Sequence, residues 1–136
     1  MSQSTQFIVG IKGSDIGQSN HFSNSELYMG ISHDWLNLLV GKKKNTIGEN
    51  YLPLSLGSMV VGSNALPLPR VSLSIPDYHL FKFKNIPIKI KGSLSHGWLD
   101  KGMYLEAPML HEKWLYLSFQ TKNYSGYLGL VHEAIW

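Results

Sequence analysis

Two His-Glu pairs stand out for the chemistry they could do: His111-Glu112, followed by Lys113, and His132-Glu133. Neutral imidazole and carboxylate are good ligands for zinc and other divalent ions. The spacing argues against a chelate, because adjacent residues of a strand point to opposite faces and one His-Glu pair cannot close on an ion as a unit. A site would need His111 and His132 to meet across strands and a third ligand from elsewhere, so no metal and no other cofactor is expected. Glu112 and Glu133 could instead be the paired carboxylates of a glycoside hydrolase, which must face each other at a set separation. No surrounding motif marks any two of the nine acidic residues as such a pair. The chain also lacks a phosphate-binding glycine loop, a nucleophile elbow and a Ser/His/Asp signature. It is not expected to be an enzyme. A structural role fits these residues better: Glu112, Glu133, Lys89, Lys91 and Arg70 as charged ladders inside a lumen, holding a barrel interior together and needing no ligand. The remaining reading is contact with polysaccharide, with aromatic faces on sugar rings and charged groups on uronic acids or hydroxyls.

The elements that must position these residues are strands. From Ile86 to Trp98 the pattern has period two. Ile88, Ile90, Leu94 and Trp98 share one face with Gly92 and His96, while Lys89, Lys91, Ser93 and Ser95 share the other. A helix would scatter these lysines around its circumference. The alternation recurs in Leu36, Leu38 and Val40 against Trp35, Asn37 and Leu39, and in Val71, Leu73 and Ile75 against Ser72 and Ser74. Leu115, Leu117 and Phe119 likewise oppose Trp114, Tyr116 and Ser118. Leu128, Leu130 and Ala134 share a face with His132 and Trp136. Phe7–Ile11 and Leu27–Ile31 are β-rich but alternate less cleanly. Breaks are expected at Gly13-Ser14-Asp15, Lys44-Asn45-Thr46, Gly62-Ser63-Asn64, Pro76-Asp77, Asp100-Lys101-Gly102 and Asn123-Tyr124-Ser125-Gly126. Pro67 and Pro69 fix φ and remove backbone donors, so the stretch before Val71 leads into a strand and Arg70 points with Ser72 and Ser74. About eight strands in one domain, with no helix, repeat or linker, make an all-β sandwich or barrel.

Composition narrows the environment. Of 136 residues, 15% are charged and 12% aromatic, against roughly 25% charged in soluble domains. Such a chain needs a core or a lipid annulus for its apolar surface. The net charge of +3 owes much to Lys42, Lys43 and Lys44, which read as a solvated loop start and not as the longer basic stripe of a nucleic-acid binder. With no cysteine there are no disulfides. The charge-free stretch from Tyr51 to Pro69 holds three prolines and cannot be a spanning helix. A sandwich and a barrel both alternate, but three features tilt toward a membrane barrel. Several strands reach about ten residues, enough to cross a bilayer at a tilt. The polar face is small and hydroxylic, as a lumen would be. Trp98, Tyr104, Trp114, Tyr127 and Trp136 flank the apolar stretches as interfacial girdles would.

Four segments in order carry a resemblance: Gly62-Ser63-Asn64-Ala65-Leu66-Pro67-Leu68-Pro69-Arg70-Val71, Lys91-Gly92-Ser93-Leu94-Ser95-His96-Gly97-Trp98, Leu110-His111-Glu112-Lys113 and His132-Glu133-Ala134-Ile135-Trp136. Over about Gly30 to Trp136 the chain resembles the capsule-assembly Wzi family. The resemblance implies an antiparallel up-and-down transmembrane β-barrel in the outer membrane of Gram-negative bacteria, monomeric at full length, contacting outer-membrane lipid and no nucleic acid. It implies a lectin-like role in assembling or attaching capsular or other extracellular polysaccharide. The matched residues Arg70, His96, His111, Glu112, Lys113 and His132 become the candidate lumen or polysaccharide-contact groups. Family members are longer and begin with a signal peptide, whereas Met1-Ser2-Gln3-Ser4-Thr5 opens no basic-then-apolar leader. Residues 1–136 are therefore expected to be one segment of a larger barrel, truncated at both ends. A porin-like channel and a soluble β-sandwich carbohydrate-binding module remain the alternatives.

Overall fold

The computed structural model describes residues 4–15, 22–45, 60–62, 65–83, 86–102 and 106–136. Seven strands form among them: β1 (Thr5–Asp15), β2 (Phe22–His33), β3 (Leu36–Lys42), β4 (Pro69–Phe83), β5 (Ile86–Trp98), β6 (Met109–Gln120) and β7 (Ser125–Ile135). They make one all-β, antiparallel, up-and-down sheet in the order β1-β2-β3-β4-β5-β6-β7. The sheet is not closed: among the described residues β1 pairs only with β2 and β7 only with β6. It is thus an open, partial-barrel arrangement of seven strands where about eight were expected.

Two expected breaks lie inside strands. Gly13-Ser14-Asp15 continues β1 after a register shift between Lys12 and Gly13. Pro76-Asp77 sits in a bulge of β4, where the register passes from Ile75 opposite Gly92 to His79 opposite Ile90. A bulge tolerates proline because its residues are released from the ladder. Two extra residues keep the parity, so His79 and Phe81 stay on the face of Val71, Leu73 and Ile75. The other breaks among the described residues are connections. The β2–β3 turn places Asp34 at φ 54°, a conformation Asp adopts more readily than most residues. The β6–β7 turn closes on Thr121, whose N–H and Oγ1 both donate to the Tyr124 carbonyl at 2.7 and 3.0 Å. Thr46, Ser63, Asn64, Tyr104 and residues 51–59 lie outside the described residues.

The two faces differ sharply. Arg70, Ser95, Leu110, Glu112, Trp114 and Ser118 are buried, and the register places all six on one face, here the inner face. The outer face carries Phe7, Val9, Ile11, Leu27, Met29, Ile31, Leu38, Val40, Val71, Leu73, Leu94, Leu115, Phe119, Leu128 and Leu130, all exposed, Phe7 to 82%. Among the described residues only Leu110 and Trp114 are buried hydrophobics. Soluble monomers rarely expose an apolar patch beyond a few hundred Å²; here it runs across all seven strands.

Candidate functional site

On the inner face, three strands bring one charged cluster together. Arg70 opens β4, Ser95 lies late in β5 and Glu112 early in β6. The pairs Arg70–Gly97, Ser72–Ser95 and Ser95–Glu112 set them side by side. Arg70 Nη1 donates to Glu112 Oε2 at 2.6 Å and Ser95 Oγ donates to the same oxygen at 3.0 Å. Arg70 is 7% exposed and Glu112 3%. Glu133 of β7 faces Glu112 directly, and its Oε2 accepts the backbone N–H of Val60 at 3.0 Å. That bond carries part of the β3–β4 connection across the inner face to β7. Arg70 Nε, Glu112 Oε1, Trp114 Nε1 and Glu133 Oε1 are buried without a partner among the described residues. Such groups cost about 1–3 kcal/mol each unless water or ligand satisfies them. The cluster therefore acts as a polar interior, two donors and two acceptors beside one ion pair. Lys91 lies over the Tyr78 ring at 5.7 Å, while Lys89 is exposed on the same face.

The structure divides the six candidate residues. Arg70 and Glu112 meet on the inner face. His96, His111, Lys113 and His132 stand together on the outer face, at the end of the sheet where β5 finishes and β6 begins. His96 faces His111 and Lys113 faces His132. Ring centroids lie 5.7 Å apart for His96 and His111 and 6.1 Å for His111 and His132. Trp136 stacks on His111 at 6.1 Å and Trp98 lies edge-on to His96 at 5.9 Å. His96 Nε2 sits 3.4 Å from Met109 Sδ. The condition set for a metal, that His111 and His132 meet across strands, is thus approached, yet among the described residues no group of three or more side chains could hold an ion.

The expected aromatic girdle is partly redrawn. Trp98 and Trp136 stand on the outer face. Trp114 and Tyr127 do not: Trp114 is buried on the inner face and Tyr127, opposite Ser118, shares it. The reason is parity, since Trp114 alternates with Leu115 and falls in with Glu112. An outer aromatic cluster that the sequence reading missed lies at the opposite end. Trp35, His79 and Phe81 pack with centroids 4.8–5.4 Å apart. Carrying the odd-numbered face of Val71, Leu73 and Ile75 through Pro76-Asp77 would have found two of the three.

The apolar band on the outer face slants across the hydrogen-bonded rows. One row reads Leu38, Leu73, Leu94, Lys113 and His132, apolar on β3 to β5 and polar on β6 and β7. At the other end the order reverses. Thr5 and His33 are polar on β1 and β2, where Thr5 Oγ1 and His33 Nδ1 bond at 2.8 Å. On later strands the corresponding row, one residue beyond Asn37–Ser74–Ser93–Trp114–Val131, carries Ile75, Gly92, Leu115 and Leu130. Lys42, the first polar outer residue of β3, faces Pro69, whose row runs through Trp98 and Met109 to Trp136. The first polar outer residue met along β7 is His132, four positions from Trp136. The boundary slips by about one residue per strand. A barrel strand tilted by about 40°, with neighbours about 4.8 Å away and about 3.3 Å per residue, requires a slip of about 1.2 residues per strand for a level band.

The connections are asymmetric as well. At the His33 end they are short, 34–35, 84–85 and 121–124, and at the His96 end longer, 16–21, 43–68 and 99–108. No helix among the described residues is long and apolar enough to cross a membrane. Comparison of the chain with models of known protein families, with curated proteins and with solved structures finds no match.

Proposed function

We propose that the chain is a strand segment of an outer-membrane β-barrel that assembles or attaches capsular or other extracellular polysaccharide, by contact and without catalysis. The carrying observation is the level apolar band that results when the seven strands are tilted as barrel strands are. Polar and charged side chains are buried on the inner face, and apolar ones are exposed on the outer face in a strip that follows barrel shear. A soluble sandwich has no use for that slant and would need a second sheet to cover the strip. Short connections at one end and long ones at the other match the periplasmic turns and extracellular loops of such barrels. The edges of β1 and β7, unpaired among the described residues, would pair with further strands. The polysaccharide role rests on the motif series around Arg70, His96, His111-Glu112-Lys113 and His132-Glu133 and its resemblance to the Wzi family. A porin-like channel is the second reading, favoured by the serines of the inner face, Ser72, Ser74, Ser93 and Ser95. The segment pinned across that face by Glu133 favours a filled interior.

Two measurements test this. The chain has no cysteine, so single-cysteine variants carry an environment-sensitive dye without background. Dye at Leu73→Cys and Leu94→Cys should be quenched by brominated lipid and dye at Ser93→Cys should not; equal exposure of all three to water would sink the barrel. Deleting the encoding gene should release polysaccharide from the cell surface into the medium. Unchanged cell-bound polysaccharide would overturn that role and leave the barrel standing.

A further inference from the structure

The cluster of His96, His111, Lys113 and His132 has no part in the inner-face network, and its position is unusual. On the outer face of β5 to β7, everything on the His33 side of it is apolar or glycine: Ile88, Ile90, Gly92 and Leu94 on β5, Leu115, Leu117 and Phe119 on β6, and Gly126, Leu128 and Leu130 on β7. The cluster marks where that strip stops. Trp98 and Trp136 bracket it, and indole rings favour the membrane–water boundary.

Its chemistry is one-sided. Lys113 carries three N–H donors and no acceptor, and each imidazole carries at least one N–H donor in either protonation state. Lys113 and His132 face each other directly and are both exposed. Behind them His111 is fixed by the stacked Trp136, and His96 by Trp98 and Met109. No carboxylate side chain shares this face on β5, β6 or β7 among the described residues. Glu112 and Glu133 alternate to the other side, where Arg70 and the Val60 N–H occupy them. Asp100 and Glu106 belong to the β5–β6 connection. Among the described residues Lys113 has no ion-pair partner. A lysine and three imidazoles at the rim of an apolar strip, without a carboxylate side chain among them, are complementary to an anion at headgroup depth.

We propose that Lys113 and His132, backed by His111 and His96 and flanked by Trp98 and Trp136, bind the phosphate of an anionic membrane lipid in the leaflet on the long-connection side. The inference rests on the barrel reading and adds a lipid class to it. The acyl chains lie along Leu94, Leu115 and Leu130, and the phosphate reaches the paired donors on β6 and β7. The opposite rim carries instead the aromatic cluster of Trp35, His79 and Phe81.

The test reconstitutes the full-length barrel that carries these strands in vesicles of phosphatidylcholine alone and of phosphatidylcholine with phosphatidylglycerol. Spin-labelled lipids report which headgroup is retained at the protein surface. Phosphatidylglycerol should be favoured over phosphatidylcholine, and K113Q/H132Q should lower that preference about five-fold, as expected for one cation at an anionic surface. K89Q, an exposed lysine of the inner face, should leave it unchanged. Equal retention of the two lipids by the parent chain, or an equal loss in K89Q, would overturn the site while the barrel stands. Failure to insert into either vesicle would overturn the barrel reading itself, and the lipid site with it. Inorganic phosphate that abolishes the preference more than chloride at matched ionic strength would assign the cluster to free phosphate and overturn the lipid.

Discussion

Removing Arg70 should cost far more than removing its partner Glu112, although the two form one ion pair. Arg70 is the cation of a cluster that also holds Glu133, directly across from Glu112. At an effective dielectric of about 20, unit charges 4 Å apart interact by about 4 kcal/mol. Two carboxylates about 5 Å apart on facing strands repel by about 3 kcal/mol on the same footing, less here because Glu133 is only half-buried. Arg70→Ala loses the attraction and leaves both carboxylates facing each other, so a cost of about 3–5 kcal/mol is expected, as for other broken buried pairs. Glu112→Ala loses the same attraction but also removes the repulsion, and Arg70 keeps Glu133 as a distant counter-charge; about 1–3 kcal/mol is expected. Arg70→Met with Glu112→Leu should come close to the parent, because both desolvation costs vanish. Urea unfolding in detergent micelles, followed by tryptophan fluorescence, measures all three variants. Equal costs for the two single variants would refute the reasoning, since they would mean that Glu133 does not act on the pair. A double variant as unstable as Arg70→Ala would show that packing and not charge sets the cost.

Two other perturbations are informative. Gly41 takes φ 124°, and a Cβ there would overlap the Leu27 carbonyl and approach the Tyr28 Cα at 2.7 Å, so Gly41→Ala should destabilise β3 by about 1–3 kcal/mol, read in the same urea titration. Glu133→Ala removes the acceptor for Val60 N–H and should speed amide exchange at Val60 while leaving exchange in β6 unchanged; unaltered exchange at Val60 would show that the segment is held by other contacts.

Much of the fold is legible in the sequence because a strand's faces follow from parity alone. Lys89, Lys91, Ser93 and Ser95 fall together on the inner face, as the alternation from Ile86 to Trp98 requires, and Arg70 points with Ser72 and Ser74. Parity also placed His96 and His132 with apolar neighbours, yet motif resemblance grouped them with Arg70 and Glu112. The structure separates the two sets by a whole sheet thickness. Prolines misled in the opposite way: Pro76 reads as a break, but a bulge absorbs it and β4 runs on to Phe83.

What the sequence determined by itself is the strand class, the assignment of each side chain to a face and the low charge that suits an apolar surround. These depend only on neighbours along the chain. The tertiary structure decided the register between strands. That register set Glu112 against Glu133 and against Arg70, 42 residues earlier, gathered three histidines from three strands, and revealed the slant of the apolar band. None of these can be read from local pattern, because pairing partners lie one or more connections apart, and a shift of two residues keeps every face while changing every neighbour.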